Sequence, residues 1–160
     1  MSIVRLLLLL SLVVWVGGIV FFAFVVAPTV FHPGILPSRQ LAGAVVSRSL
    51  GILHWMGLTC GLVFLVTSVI ESQIMNGVPA LLSGRNVLVC CMILLTLISM
   101  FAISPRMLEL RNQMVFIDNV PHDDARRVEF NRLHIWSTRL ESAVLLFGLA
   151  VIFLTSRRLS

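Results

Sequence analysis

The stretch FNRLHIWSTRLESAVLLFGLAVIFLT, residues 130–155, begins with polar side chains and becomes almost continuously apolar. About 20 apolar residues cross the roughly 30 Å of hydrocarbon in a bilayer, and in lipid the backbone satisfies its hydrogen bonds by forming a helix. The sequence predicts four such spans, at about residues 3–28, 51–72, 86–105 and 135–155. The expected fold is therefore an all-α membrane protein, a four-transmembrane-helix bundle, with residues 1–160 as one domain.

The composition agrees with a membrane location. The 160 residues are 58% hydrophobic and only 12% charged, with a mean hydropathy of +1.02, whereas a soluble domain carries about 25% charged residues. The net charge of +5 comes from arginine alone, which in a membrane protein is typical of loops that face anionic headgroups. We expect a multi-pass membrane protein whose partner is the lipid bilayer, with no nucleic-acid role.

Four spans place both termini on one side of the membrane. We call this side A, which also holds the link at residues 73–85, and we call the opposite side B, which holds residues 29–50 and 106–134. Side B has more arginines, which favours a cytoplasmic location for it. However, Arg5 precedes the first span and favours the reverse, so the orientation stays open.

Two helices are expected to extend beyond the bilayer on side B. Ser38 is a helix-start signal, and Asn119 is a candidate cap before Pro121. No breaker separates either signal from its span, so continuous helices are predicted from about Ser38 to Glu71 and from Pro121 to Thr155. After the third span, an amphipathic segment is predicted to lie against the membrane or these extensions, with its apolar face formed by Met107, Leu110, Met114 and Ile117.

Polar residues on the fourth span recur at spacings of three and four, which predicts one shared helix face. This predicted interior cluster consists of His134, Thr138, Glu141 and Ser142. On the second span, His54 shares a face with Gly57 and Gly61, a small-xxx-small pattern that lets a neighbouring helix approach closely. Because His54 and His134 lie at similar depth, we expect them to approach each other.

Two main interpretations of this polarity stay open, with a polar pocket for an organic ligand or a proton path as further alternatives. Either the histidines are interfacial residues and Glu141 is an interhelical hydrogen-bond partner, or His54 and His134 are ligands of haem b or copper. Cys60, Cys90 and Cys91 lack the spacing of a zinc site. The sequence has neither a Gly-rich phosphate loop nor a GxSxG elbow, and enzymatic activity is left open.

Four motifs occur in this order along the chain: WVGGIVFFAFVVAPTVF (15–31), LPSRQLAG (36–43), SPRM (104–107) and FNRLHIWS (130–137). Together they resemble the transmembrane protein 205-like family, a four-helix membrane family of unknown function in bacteria, with a eukaryotic branch. The family's eukaryotic member is linked to platinum-drug resistance. Residues 15–18 are also similar to the copper resistance protein D superfamily, whose haem-containing relatives carry a histidine about two turns earlier; that position is apolar here, near Leu8.

From the residues and the resemblance together we expect a non-enzymatic membrane component, or a subunit of a larger complex or homo-oligomer. The resemblance implies that it is linked to metal or toxic-solute handling. The alternative is a haem- or copper-binding membrane redox protein with ligands His54 and His134.

Overall fold

The computed structural model describes residues 2–79, 81–114 and 120–159, and within them the chain is helical, without a strand. Two short π-helical segments interrupt the α-helices. In chain order the elements are α1 (Ser2–Phe21), a first π-helical segment (Phe22–Val26), α2 (Ala27–Val30), α3 (Arg39–Asn76), α4 (Gly84–Ile98), a second π-helical segment (Ser99–Ile103), α5 (Ser104–Gln113) and α6 (Ala125–Leu159).

These elements form four continuous helical segments within the described residues, each long and apolar enough to cross a membrane. The candidate spans are Ile3–Val30, Arg39–Met75, Gly84–Gln113 and Ala125–Arg157. The predicted all-α fold with four membrane helices is confirmed. The chain is a multi-pass membrane protein whose helices contact the lipid bilayer.

Both long helices exceed the thickness of a bilayer. At 1.5 Å per residue, the 38 residues of α3 extend for about 57 Å and the 35 residues of α6 for about 52 Å, against about 30 Å of hydrocarbon. The residues in excess of the hydrocarbon thickness lie at the less apolar side-B ends of α3 and α6. We call residues 39–50 of α3, all of α5 and residues 125–134 of α6 the side-B head.

The start of α3 is where the sequence predicts it, since the Ser38 hydroxyl accepts a hydrogen bond from the Leu41 amide at 3.2 Å. Helix α3 ends at Asn76, five residues beyond the predicted Glu71, and is capped by Gly77, whose φ of 71° favours glycine. The start of α6 is predicted four residues too early. The Asp124 carboxylate accepts a hydrogen bond from the Arg126 amide at 2.8 Å and caps the first turn, and Asn119 lies outside the described residues.

The third helical segment is longer than the predicted span, because the chain remains helical through the second π-helical segment into α5. Met107, Leu110 and Met114 are buried, so the apolar face of α5 lies against protein within the side-B head. Ile117, the fourth residue of that predicted face, lies outside the described residues.

The apolar core occupies the middle of the bundle. Trp15 of α1, Phe64 of α3, Met92 of α4 and Val144 of α6 are each at most 2% exposed. Helix α1 packs mainly on α3 and α4 mainly on α6, and α3 also packs on α4. This arrangement brings polar residues of α3 and α6 together near one end of the core.

Candidate functional site

A buried acid–base pair joins α3 to α6. The Nε2 atom of His54 lies 2.6 Å from the Oε1 atom of Glu141, a short hydrogen bond. The His54 side chain is 3% exposed and that of Glu141 is 19% exposed. Ionisable groups are costly inside a membrane and occur where they pair or serve a function, so this pair is the centre of the candidate site.

Gly57 and Gly61 of α3 allow α1 to pack closely beside the site. A β-carbon at Gly57 would fall on the Trp15 indole ring, and one at Gly61 would lie 2.8 Å from the Trp15 Cζ3 atom. The helix contact face predicted for Gly57 and Gly61 therefore holds the Trp15 ring. Since His54 is less than one turn from Gly57, the same close approach of α1 and α3 shields the imidazole.

Ser99 occupies the same layer as the acid–base pair, as the helix register shows. A β-carbon at Gly148 would lie 3.3 Å from the Met92 Cε atom, so these two residues of the antiparallel helices α6 and α4 are level. Seven residues toward side B from each are Glu141 and Ser99. Ser99 is 0% exposed and begins the second π-helical segment, a feature that often marks functional sites.

Two polar atoms of this layer have unused hydrogen-bonding capacity within the described residues. His54 Nδ1 and Ser99 Oγ are both buried without a hydrogen-bond partner. A buried polar atom without a partner is unfavourable and usually indicates a bound water, an ion or a functional role. The layer therefore combines a hydrogen-bonded imidazole–carboxylate pair with two buried polar atoms that have no partner among the described residues.

The expectation that His134 approaches His54 is wrong. His134 is exposed and, with Thr138 and Ser142, lines an open groove of about 400 Å³ on the outer face of α6. The predicted interior cluster thus retains Glu141 alone. His134 and Glu141 are only about 20° apart around α6, so what separates them is their position along the axis: His134 is two turns nearer the start of α6, where its side chain is exposed. Each i, i+4 step turns about 40°, so Thr138 and Ser142 lie progressively farther from the face that carries Glu141.

This geometry does not fit a bis-histidine haem b site or a copper site between α3 and α6. His54 Nε2 is engaged by Glu141, and His134 points away from the bundle. In the part of the chain that the structure describes, no group of three or more His, Cys, Asp or Glu side chains could hold a metal ion. Cys60, Cys90 and Cys91 are free thiols.

A second polar cluster lies near side A and was not predicted from the sequence. Glu71 accepts hydrogen bonds from Arg85 at 2.7 Å and from Arg5 at 3.3 Å. Next to it, the Ser68 hydroxyl donates to the Asn86 side chain at 2.7 Å. The sequence does contain a signal for this cluster, because three charged residues fall at the side-A ends of three different apolar spans.

The side-B head is held by surface ion pairs. Arg106 of α5 contacts Glu129 of α6 at 2.9 Å and Glu109 at 2.8 Å. At the start of α6, hydrogen bonds from the Arg126 side chain and amide lower the pKa of Asp124 to about 2.

Residues 10–115 match the model of the family described as DUF4149, a domain of unknown function, and the chain belongs to this family. No curated protein and no solved structure matches the chain. The match agrees with the expectation of an uncharacterised family. The resemblances to the transmembrane protein 205-like family and to the copper resistance protein D superfamily stay predictions.

Proposed function

We propose that this member of the DUF4149 family is a small, non-enzymatic integral membrane component whose His54–Glu141 pair binds and releases a proton inside the helical bundle. The observation that carries the proposal is the 2.6 Å contact between His54 Nε2 and Glu141 Oε1. Histidine is the side chain whose charge changes closest to neutral pH, and intramembrane acids paired with histidines are typical of proton relays.

Two of the protonation levels of the pair matter for this proposal. With two exchangeable protons, the pair is neutral overall, as an imidazolium–carboxylate pair or as neutral imidazole with carboxylic acid. Loss of one proton leaves a net negative charge on groups that are 3% and 19% exposed, which the apolar surroundings oppose. Proton release would therefore favour a rearrangement that brings water or a cation to the pair.

The unpartnered His54 Nδ1 atom provides the route for that proton. It lies on the opposite side of the imidazole from the contact with Glu141 and has no hydrogen-bond partner within the described residues. A proton can thus leave from Nδ1 while Nε2 keeps its contact with the carboxylate. A static interhelical hydrogen bond would use the same Nε2 contact, so the two roles are distinguished by whether the pair exchanges a proton.

Infrared spectroscopy of the purified protein during a pH titration tests this proposal. We expect pH-dependent carboxyl or carboxylate bands that change reversibly, are lost in Glu141→Gln and are altered in His54→Gln. Glu109→Gln is the matched control, because it removes an exposed carboxylate of side B and should leave these bands unchanged. A titration in which wild type and Glu141→Gln give the same spectra near neutral pH would refute the proposal.

The finer hypotheses from the sequence are also open to test. A link to metal or toxic-solute handling rests on the resemblance to the transmembrane protein 205-like family, as do membership in a larger complex and a bacterial inner-membrane location. The alternative of a haem or copper redox protein has no pair of facing histidines to support it. Stoichiometric copper or a Soret band in the purified protein would favour that alternative.

A further inference from the structure

A buried arginine in the side-B head has no counter-charge among the residues that the structure describes. Arg111 of α5 is 7% exposed, and its Nε and Nη1 atoms are buried without a hydrogen-bond partner among the described residues. A buried guanidinium without a partner is strongly unfavourable, so such groups pair with a carboxylate or bind an anion.

The acidic side chains described on this side do not supply that counter-charge. They either pair with another arginine or face solvent: Glu109 and Glu129 with Arg106, Asp124 with Arg126, and Asp123 exposed. Arg111 is thus buried beside a head whose described carboxylates pair with other arginines or face solvent, and none of them neutralises its charge.

Residues of α3 and α6 pack against the Arg111 guanidinium. A β-carbon at Gly43 of α3 would lie 3.4 Å from the Arg111 Cζ atom, in ordinary van der Waals contact, so α3 passes close to the guanidinium here. The Phe130 ring of α6 lies 5.8 Å from Cζ, in the range of a cation–π contact. The neighbours of the guanidinium thus include a backbone and a ring, and its buried Nε and Nη1 atoms keep unused hydrogen-bonding capacity.

The chemistry of the site favours a phosphate group. The planar fork of arginine donates two parallel hydrogen bonds to phosphate or carboxylate oxygens. Gly43 lies in the second turn of α3, which begins at Arg39, so the positive end of the helix dipole adds to the attraction for an anion. The side-B head lies beyond the apolar spans, at the level where phospholipid phosphates occur.

We propose that Arg111, between Gly43 and Phe130, is the anchor of a binding site for a phosphate group. The ligand is either the headgroup of an anionic phospholipid in the side-B leaflet or a soluble phosphate. Both present the same oxygens to the guanidinium, and only the lipid adds acyl chains that reach the apolar surface of the helices. This site is separate from the His54–Glu141 pair, which lies on other residues of α3 and α6.

The test uses delipidated protein in a neutral detergent, titrated separately with inorganic phosphate and with short-chain phosphatidylglycerol, with binding measured by calorimetry. We expect binding of one ligand per chain, weakened at least tenfold in Arg111→Gln, as loss of a charged hydrogen bond implies. Arg48→Gln is the matched control, because it removes an exposed arginine of the same side. Its affinity should remain within about twofold of wild type.

The two titrations distinguish the sources. Saturation by phosphatidylglycerol alone identifies a lipid site, and saturation by inorganic phosphate identifies a site for soluble phosphate; either supports the proposal. Absence of binding in both, or equal affinities of wild type and Arg111→Gln, overturns it.

A second pair of variants does not require removal of Arg111. Gly43→Asp would bring a carboxylate to the guanidinium, whereas Gly43→Asn has nearly the same size without the charge. We expect Gly43→Asp to bind either ligand at least tenfold more weakly than Gly43→Asn, because the internal carboxylate replaces the phosphate. Equal binding by both variants would overturn the proposal even if Arg111→Gln does not fold.

Discussion

Substitution of Gly57 by alanine tests the packing that covers the candidate site. The added β-carbon would lie 2.8 Å from Cε2 and 2.9 Å from Cδ1 of the Trp15 indole, well inside the roughly 3.5–4.0 Å at which carbon atoms attract each other. Trp15 is 2% exposed, and its ring is rigid. The ring or the two helices must therefore shift, and His54 on the same face of α3 must shift with them.

The magnitude follows from comparison with Gly51, also within α3, where a β-carbon would meet no atom within 4 Å. At both positions alanine gains about 0.5–1 kcal/mol over glycine from helix preference. Only Gly57→Ala adds overpacking, which costs about 1–3 kcal/mol. The difference between the two variants isolates the overpacking, so Gly57→Ala should be less stable than Gly51→Ala by about 1–3 kcal/mol.

Reversible unfolding in mixed micelles, followed by circular dichroism as the denaturing detergent is increased, gives the free energies of unfolding. Gly61→Ala should behave like Gly57→Ala, because its β-carbon would lie 2.8 Å from the Trp15 ring and 2.9 Å from the Ile93 Cγ1 atom. If Gly57→Ala is as stable as Gly51→Ala, then α1 does not pack on α3 through Trp15 and the layer that we describe is wrong.

The remaining predictions concern the charged clusters. Glu71→Gln should lower the free energy of unfolding by about 3 kcal/mol, since it leaves Arg85, whose side chain is 3% exposed, without its carboxylate; retention of wild-type stability in the same micelle assay would contradict this. Arg106→Gln should leave the stability close to that of wild type, because its side chain is 43% exposed and surface ion pairs contribute little; a clear loss would show that the side-B head depends on this residue. Asp124 has a depressed pKa, so its carboxylate stabilises the start of α6 above the ordinary value of 3.8, and this contribution is lost as the pH falls through about 2. Wild type should lose helicity over that interval relative to Asp124→Asn, which keeps an acceptor without the charge, and superimposable pH profiles would refute the assignment.

The sequence was sufficient for the helices and for part of the site. Apolar length alone located four spans, and the small-xxx-small pattern of Gly57 and Gly61 singled out the face on which Trp15 packs. The presence of a glutamate inside the fourth span was sufficient to expect a polar partner for Glu141. The spacing argument failed for His134, because positions seven apart share a face only relative to their own helix, and a helix end beyond the bundle has no neighbour to bury that face.

The partners of buried charges could not be found from one sequence. The contact of Glu71 with Arg85 and Arg5 depends on the relative register of α1, α3 and α4, and a shift of one residue rotates a side chain by about 100° around its helix. For the same reason the sequence does not predict the burial of Ser99 and Arg111. Neither belongs to a recognisable motif, and only the fold shows that each is buried with side-chain atoms that have no hydrogen-bond partner in the described residues.

The two buried charged clusters differ in the residues that pair with their glutamates, and this difference favours the proposed proton site near side B. His54 and Glu71 both lie on α3, 17 residues apart, which corresponds to about 25 Å, so the clusters lie near opposite ends of the hydrocarbon. At side A, both carboxylate oxygens of Glu71 are engaged by arginines, whose charge at neutral pH is fixed. That cluster cannot change its protonation without breaking. At side B, Glu141 is paired with a histidine, the side chain most able to change charge near neutral pH, and an imidazole nitrogen is left unpaired. The side-A cluster can therefore hold the helices in place while the side-B layer changes its proton content, and a proton-linked movement would be confined to the side-B half of the bundle.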